Sequence, residues 1–197
     1  MRAFSGSVAS RAALSAVLLA AASMPAAQPA SAGPGLLSFG VGQFDHDYID
    51  TGSVSGFFDA GDRAGTAKAA EFRLEYRFGT PLWSYSDWFE LRPMAGLSAT
   101  SDGMLYGMGG LAFDFTLGPV VFTPSFGAGL WSRGGGKDLG HPLEFRTMFE
   151  IGYRFENQAR LTVGFSHMSN ADISDENPGA NSLLLYVHVP VNALLGD

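Results

Sequence analysis

A histidine and a serine lie two residues apart in the segment His-Met-Ser-Asn-Ala, which spans residues 167–171. An alternating run precedes them, and its odd-numbered positions are apolar: Leu161, Val163 and Phe165. Alternation of this kind is typical of a β-strand, in which every second side chain points to the same face. One strand face is therefore predicted to carry both His167 and Ser169.

His167 and Ser169 are the residue types of a general base and a nucleophile. Because a strand rises roughly 3.3 Å per residue, their Cα atoms are expected to lie about 6.5–7 Å apart. Side chains that lean toward each other over this distance can hydrogen-bond, and the imidazole can then accept the hydroxyl proton. The pair predicts a serine esterase. Because His-x-Ser also arises by chance in strands, the prediction depends on the rest of the chain.

The N-terminal region has the features of an export signal. It contains two arginines, an apolar run over residues 12–22 and the small-x-small cleavage motif Ala30-Ser31-Ala32. The apolar run is too short to span a bilayer as a helix. We therefore predict a signal peptide over residues 1–32 and a single barrel domain over residues 33–197.

The charge of the chain excludes one class of function. Its formal net charge is −7, and removal of a signal that contains two arginines and no acid would make it −9 (−7 minus 2). A chain this acidic has no basic surface for nucleic acid. It also has no cysteine, so no disulfide stabilises it, although export would permit one.

Two stretches, residues 71–78 and 144–155, alternate aromatic or aliphatic side chains with polar or charged ones. In a soluble sandwich the apolar face would form the core and the polar face would be solvated. Here an export signal accompanies an aromatic-rich face and a second face of mixed charges that can pair inside a narrow lumen. This combination favours a membrane barrel.

The alternating runs predict eight strands, and an even number is typical of outer-membrane barrels. Short turns at Gly118-Pro119 and Glu156-Asn157 alternate with longer polar loops. The fold class is therefore predicted as all-β, an eight-stranded antiparallel transmembrane β-barrel of the outer membrane. Side chains fill a barrel of this size, which argues against a general porin. The predicted strands are 36–44, 70–78, 87–98, 104–115, 119–130, 142–155, 158–169 and 181–190.

Two connections depart from this regular pattern. The segment 79–86 is long for a periplasmic turn, and the segment 99–103 is short for an outer loop.

Strand parity predicts the direction in which the candidate pair points. His167 and Ser169 share the parity of the apolar residues of their strand, so they should face the lipid and not the lumen. A polar pair on a lipid-facing wall is costly unless it lies near the membrane interface. The substrate is therefore predicted to be a lipid that reaches the site from the outer leaflet.

The sequence resembles the PagL family of outer-membrane lipid A 3-O-deacylases, a group described broadly as acyloxyacyl hydrolase-like. The resemblance covers the whole predicted barrel. Its motif is His-x-Ser-Asn-Ala at residues 167–171, followed by a short loop and a final amphipathic strand from Asn181. It implies an esterase that acts on lipid A of lipopolysaccharide, with His167 as base, Ser169 as nucleophile and Asn170 as an oxyanion-stabilising group. No cofactor or metal is implied, and a homodimer stays open.

One position departs from the family pattern. The prototype carries a Glu twelve residues after the serine, and this position is Asn181 here. An Asn can accept a hydrogen bond from the imidazole N–H and hold the useful tautomer, as in Cys-His-Asn proteases. Outer-membrane phospholipase A has an Asn at the same offset, although its twelve-stranded barrel needs a longer chain. The alternatives are thus a phospholipase-like Ser-His-Asn enzyme and a barrel without activity.

Three acids follow the motif: Asp172, Asp175 and Glu176. They could replace the missing carboxylate or bind calcium, although acids in an outer loop are more often only solvated.

The remaining histidines, tryptophans and strand charges have structural explanations. His46 and His141 are scattered, His188 has lumen parity, and Glu150 and Arg154 are predicted to form ion pairs in the lumen. The tryptophans lie near predicted strand ends, where an aromatic girdle is expected: Trp83, Trp88 and Trp131.

Overall fold

A computed structural model describes residues 33–45 and 69–195. The predicted signal peptide, residues 1–32, and His46 lie outside the described residues. The described chain forms nine strands and one short helix. They are β1 (Leu36–Phe44), β2 (Ala69–Arg77), β3 (Trp83–Tyr85), β4 (Phe89–Thr100), β5 (Leu105–Leu117), β6 (Val120–Ser132), β7 (Leu143–Arg154), β8 (Arg160–Ser169), β9 (Ala180–Pro190) and α1 (Val191–Leu195).

Eight of these strands close into an antiparallel barrel. The hydrogen-bonded order is β2-β1-β9-β8-β7-β6-β5-β4, and pairing between β2 and β4 joins the two ends. Closure leaves no unpaired barrel edge, which the interior of a bilayer requires. The predicted fold class is therefore confirmed. Among the described residues, no helix is long and apolar enough to cross a bilayer.

The additional strand β3 explains the long connection between β2 and β4. Trp83, Ser84 and Tyr85 pair with the first residues of β4, so the connection folds back along the barrel wall. The Trp83 ring packs edge-on against Phe89, with centroids 5.2 Å apart. The chain therefore buries an aromatic pair where a minimal turn would expose it. Sequence alternation could not predict a three-residue strand.

The short connection between β4 and β5 is a tight turn. The backbone N–H of Gly103 donates to the Thr100 carbonyl oxygen at 3.0 Å, and Gly103 has a φ of +89°. The Thr100 hydroxyl accepts from the Met104 N–H at 3.1 Å and donates to the Asp102 carboxylate. These bonds satisfy polar groups of the turn within the turn itself, so a few residues are enough to connect β4 to β5.

The outer wall of the barrel is apolar and exposed, as a lipid-facing surface must be. Large side chains at alternate strand positions are roughly half exposed, among them Phe39, Phe72, Leu97, Leu130, Ile151 and Val163. In water such a continuous apolar surface would cause aggregation. In a bilayer this surface contacts the hydrocarbon chains of the lipids.

The lumen is filled by buried ion pairs. Arg73 Nε lies 2.6 Å from Glu71, Arg146 Nη1 lies 2.6 Å from Glu75, and all four side chains are almost fully buried. Charges withdrawn from water in this way must be paired, because an isolated buried charge is very costly. Two clusters of buried hydrophobic residues, around Met108 and around Tyr186, share the lumen with these ion pairs, so the inward face of the strands is a packed core and not a channel.

Arg77 joins a second group of buried charges in the lumen. Its guanidinium contacts Glu150 and lies 3.4 Å from Asp114. The same Glu150 carboxylate lies 3.1 Å from His188, whose Nδ1 is 2.7 Å from the Ser38 hydroxyl. The structure thus places Glu150 in the ion-pair network and His188 in a buried structural role, as the sequence predicts.

Arg154 differs from its prediction as a lumen ion-pair member. Its guanidinium donates to Gln158 Oε1 and to the Gly118 carbonyl oxygen, each at 3.3 Å. Both partners belong to turns at one end of the barrel. Arg154 is the last residue of β7, so its side chain reaches the turns instead of the lumen acids.

Replacement of Arg77 tests how far the barrel depends on its lumen charges. Arg77→Met should lower the free energy of unfolding by about 3–5 kcal/mol, because it leaves the buried Glu150 carboxylate without its arginine and removes one of the cations around Asp114. Urea titration of barrel refolded in lipid vesicles measures this loss. Arg133→Met is the control, since the Arg133–Asp138 pair is about half exposed (56% and 51%) and should contribute below about 1 kcal/mol. Equal losses in both variants would contradict the assignment.

Candidate active site

The ring of His167 is held by a residue of the neighbouring strand. His167 on β8 lies directly opposite Asn181 on β9, and His167 Nδ1 is 2.8 Å from Asn181 Oδ1. An amide oxygen only accepts hydrogen bonds, so Nδ1 must carry the proton. The other nitrogen, Nε2, then presents its lone pair. This is the tautomer that a general base needs.

Ser169 lies on the same barrel face as His167. It is the last residue of β8, it is half-buried, and it pairs with Phe145 on β7. In the described structure no hydrogen bond joins its hydroxyl to the His167 ring. Catalytic hydrogen bonds are often long or poorly aligned without substrate, so rotation of the serine side chain could complete the contact.

Gly179 lets the loop before β9 approach the histidine ring. It has a φ of +60°, and a Cβ atom at this position would lie 2.9 Å from His167 Cε1. Any other residue would therefore press on the ring and strain the backbone. Sequence reasoning missed this residue, although the dipeptide Pro178-Gly179 is a recognisable turn signal.

Asn170 organises the loop that follows Ser169. Its side chain is fully buried, and Nδ2 lies 2.7 Å from the Glu176 carbonyl oxygen and 3.0 Å from that of Leu139. Its backbone N–H donates to Asn177 Oδ1 at 3.0 Å. The side-chain amide therefore ties two loops together and is directed away from the lipid face. The hydrogen bonds of its side-chain amide are made within the loops, and a role of Asn170 at an oxyanion stays a prediction.

The two residues after Asn170 have an uncommon backbone. Ala171 and Asp172 have φ values of +55° and +60°, in the left-handed region that residues other than glycine seldom adopt. Within the described residues, neither backbone N–H donates a hydrogen bond. Strained backbone tends to gather at functional sites. The turn thus presents two free backbone N–H groups, at the second and third residues after Ser169.

None of the three loop acids lies where it could orient the His167 ring. Asp172 Oδ1 accepts a hydrogen bond from Asn177 Nδ2 at 2.8 Å, while the side chains of Asp175 and Glu176 are exposed. In the part of the chain that the structure describes, none of the three hydrogen-bonds to His167, and no group of three or more acids and histidines is placed to hold a metal ion.

Polar side chains within the apolar part of the outer wall are concentrated in one area. Among the described residues, the outward-facing positions of the barrel strands are apolar or glycine over most of the wall, with tyrosines at one end and Gln43 and Ser132 at the other. The exceptions are adjacent residues on β7, β8 and β9: Thr147, His167, Ser169 and Asn181. Because polar groups facing lipid are costly, their concentration indicates a site. Sequence reasoning placed Thr147 on the outer face and gave it no role.

A closed barrel with an apolar wall and a charged lumen is the architecture of an outer-membrane protein. The family model "Lipid A 3-O-deacylase (PagL)" matches residues 69–190. The chain therefore belongs to the PagL family and is an outer-membrane protein.

One solved structure supports the fold assignment. The crystal structure of the outer membrane enzyme PagL has a TM-score of 0.54 and 20% identity, and covers 79% of this chain and 99% of its own. A de novo designed transmembrane β-barrel (TM-score 0.47, 8% identity, 81% and 99% covered) and Neisserial surface protein A (0.45, 15%, 83% and 99%) are also similar. No curated protein matches the sequence.

Removal of the Asn170 amide should loosen the loop after Ser169. Asn170→Ala leaves the Leu139 carbonyl group without its donor and removes one of the two donors to the Glu176 carbonyl group, so cleavage within residues 170–179 by a protease added to intact vesicles should become at least about tenfold faster. Asn157→Ala is the control, because Asn157 caps a turn at the opposite end of the barrel. Unchanged cleavage of Asn170→Ala would show that the loop does not depend on this amide.

Proposed function

We propose that the chain is a serine esterase that removes an ester-linked acyl chain from lipid A in the outer leaflet. Family membership supports the substrate class. The observation that carries the chemistry is the 2.8 Å contact between His167 Nδ1 and Asn181 Oδ1, on the barrel face that also carries Ser169. An arranged imidazole beside a serine on a lipid-facing wall has no structural purpose, because the barrel would be more stable with apolar residues there.

The reaction would proceed through an acyl-enzyme. His167 Nε2 accepts the Ser169 proton while Ser169 Oγ attacks the ester carbonyl carbon. The tetrahedral intermediate collapses, the bond to the sugar oxygen breaks, and the imidazolium returns the proton to that oxygen. Water then attacks the acyl-serine with His167 again as base, which releases a fatty acid and restores Ser169.

The oxyanion would be stabilised by the backbone and not by the Asn170 side chain. Ala171 and Asp172 follow the nucleophile and have left-handed backbone conformations. Consecutive N–H groups in such a turn can converge on an anion. Asn170 acts indirectly, because its hydrogen bonds hold the loop in which these donors lie.

The position of the site suits a substrate that is itself a membrane lipid. Ser169 ends β8 at the side of the barrel where the longer loops lie, and its face is continuous with the exposed apolar wall. An ester at the headgroup boundary reaches this position without leaving the bilayer. We further propose that residues 1–32 form the cleaved signal that directs the chain to export.

An Asn as third member also favours a second candidate, a phospholipid acyl hydrolase. The His167–Asn181 contact serves either ester equally, since it orients only the base. Release of fatty acid from lipid A and from glycerophospholipid vesicles, measured side by side, distinguishes the two candidates. The proposal expects the lipid A reaction to be faster.

The catalytic pair is tested by single and double substitution. Ser169→Ala and His167→Ala should each lower lipid A deacylation by at least about 10³-fold, and the double variant should lose little more, because such residues act as a unit. Mass spectrometry of lipid A from expressing cells measures the loss. Ser132→Ala, another outward-facing serine, should retain full activity. Retained turnover in either single variant would exclude the mechanism.

The third member has its own test. Asn181→Ala should reduce turnover, because His167 loses the acceptor that fixes its tautomer, while Asn181→Glu should preserve or raise it by stabilising the imidazolium. The matched comparison uses Asp172, Asp175 and Glu176, each changed to Ala. If Asn181→Ala leaves turnover unchanged and one of the three acid-to-Ala changes abolishes it, that acid orients the histidine.

A further inference from the structure

Glu144 is a buried acid that takes part in none of the ion pairs of the lumen. It is the second residue of β7, its side chain has inward parity, and it is fully buried. Among the described residues it forms no salt bridge, and neither carboxyl oxygen has a hydrogen-bond partner. The lumen arginines Arg73 and Arg146 are bound to other acids. Because an unpaired buried carboxylate is very costly, the neutral acid is the stable form here.

Asn170 has the complementary defect. Phe145 and Ser169 form the outermost pair between β7 and β8, so the next residues, Glu144 and Asn170, come opposite each other at the loop end of the barrel. Both side chains are fully buried. The Asn170 amide nitrogen donates to three groups of the loops, whereas its Oδ1 has no partner within the described structure. Two unsatisfied groups thus lie on adjacent segments of the chain.

One proton can satisfy both groups. An amide oxygen and an ionised carboxylate only accept hydrogen bonds, so they cannot bond to each other while Glu144 is charged. A protonated carboxyl group carries one O–H, which can donate to Asn170 Oδ1. The cost of a buried charge and the need of the amide oxygen for a donor therefore favour the same form of Glu144.

Other groups at the loop end of the barrel do not supply the missing contacts. The Tyr106 hydroxyl donates to the Glu144 carbonyl oxygen at 3.0 Å and not to its carboxyl group. Trp131 packs on the same side of the barrel, and its Nε1 is buried without a partner. The remaining titratable groups are paired elsewhere: Glu71 with Arg73, Glu75 with Arg146, Asp45 with Lys137, Asp138 with Arg133, and the His141 ring with the Leu143 N–H.

We propose that Glu144 is a positioning residue, held as the neutral acid, whose O–H donates to Asn170 Oδ1 and thereby fixes the loop after Ser169. The inference rests on the proposed esterase function and deepens it, because the proposed oxyanion donors of Ala171 and Asp172 directly follow Asn170. Ionisation of Glu144 removes the donor and places acceptors against each other, which weakens the loop. The contribution is therefore present at low pH and is lost as the pH rises.

Two substitutions of similar size test the contact. Glu144→Gln keeps a donor for Asn170 Oδ1 and carries no charge, whereas Glu144→Met fills the space without a donor. Cleavage within residues 170–179 by a protease added to intact vesicles measures the order of the loop. At about pH 5, Glu144→Gln should be cleaved at the rate of the unaltered protein, and Glu144→Met at least about fivefold faster. In an Asn170→Ala background, Glu144→Met should change the rate little, because the acceptor is gone.

The pH profile separates this role from a merely structural one. The cleavage rate of the unaltered protein is divided by that of Glu144→Gln at the same pH, which cancels the pH dependence of the protease. This ratio should be near one at about pH 5 and at least about fivefold by about pH 9, because only the unaltered protein loses its donor. At about pH 9, kcat of Glu144→Gln for lipid A should exceed that of the unaltered protein by a similar factor.

Glu156→Gln is the matched control, since Glu156 is an exposed acid in a turn at the opposite end of the barrel, and its cleavage should follow that of the unaltered protein at every pH. A ratio that stays flat with pH overturns the proposal, as does equal cleavage of Glu144→Gln and Glu144→Met at low pH. The pH ratio needs only Glu144→Gln, so it decides the matter even where Glu144→Met fails to refold. If the loop responds as expected but lipid A is not hydrolysed at any pH, the contact stands and the esterase proposal fails.

Discussion

Closure of the sheet is the constraint on which the rest of the molecule depends. Pairing between β2 and β4 removes the last edge, so each barrel residue must face either a narrow lumen or hydrocarbon. Charges in the lumen are stabilised by pairing, as Arg77 shows with Glu150 and Asp114. Polar groups can enter the outer wall only at a cost. A functional site on that wall is therefore conspicuous.

The site combines a rigid part with a loop-dependent part. β8 and β9 fix His167 and Asn181 by strand register alone, which makes their contact as rigid as the barrel. The segment after Ser169 has no strand partner and needs other support. Asn170 supplies it through bonds to the Leu139 and Glu176 carbonyl groups. In the proposed mechanism, orientation of the base and placement of the oxyanion donors thus depend on different interactions.

Periodicity explains what the sequence could predict. The barrel strands, their facing and the shared face of His167 and Ser169 follow from alternation, which is a local property. Arg154 differs from its sequence prediction because its partners are turns that alternation does not describe. Alternation also gives no indication of the loop carbonyl groups that Asn170 binds. Thr147 was not singled out, since threonine is an ordinary strand residue until its neighbour across the strand is known.

Position in the membrane also gives a reason for Asn at 181. The residue faces outward from β9 beside an apolar wall, where an ionised carboxylate would carry a substantial desolvation cost. A neutral amide accepts the same hydrogen bond from His167 Nδ1 at a smaller cost. In the proposed mechanism it would stabilise the imidazolium less, so part of the transition-state stabilisation would come from elsewhere. The free N–H groups after Ser169 are the groups placed to supply it, which makes the order of that loop more important here than beside a carboxylate.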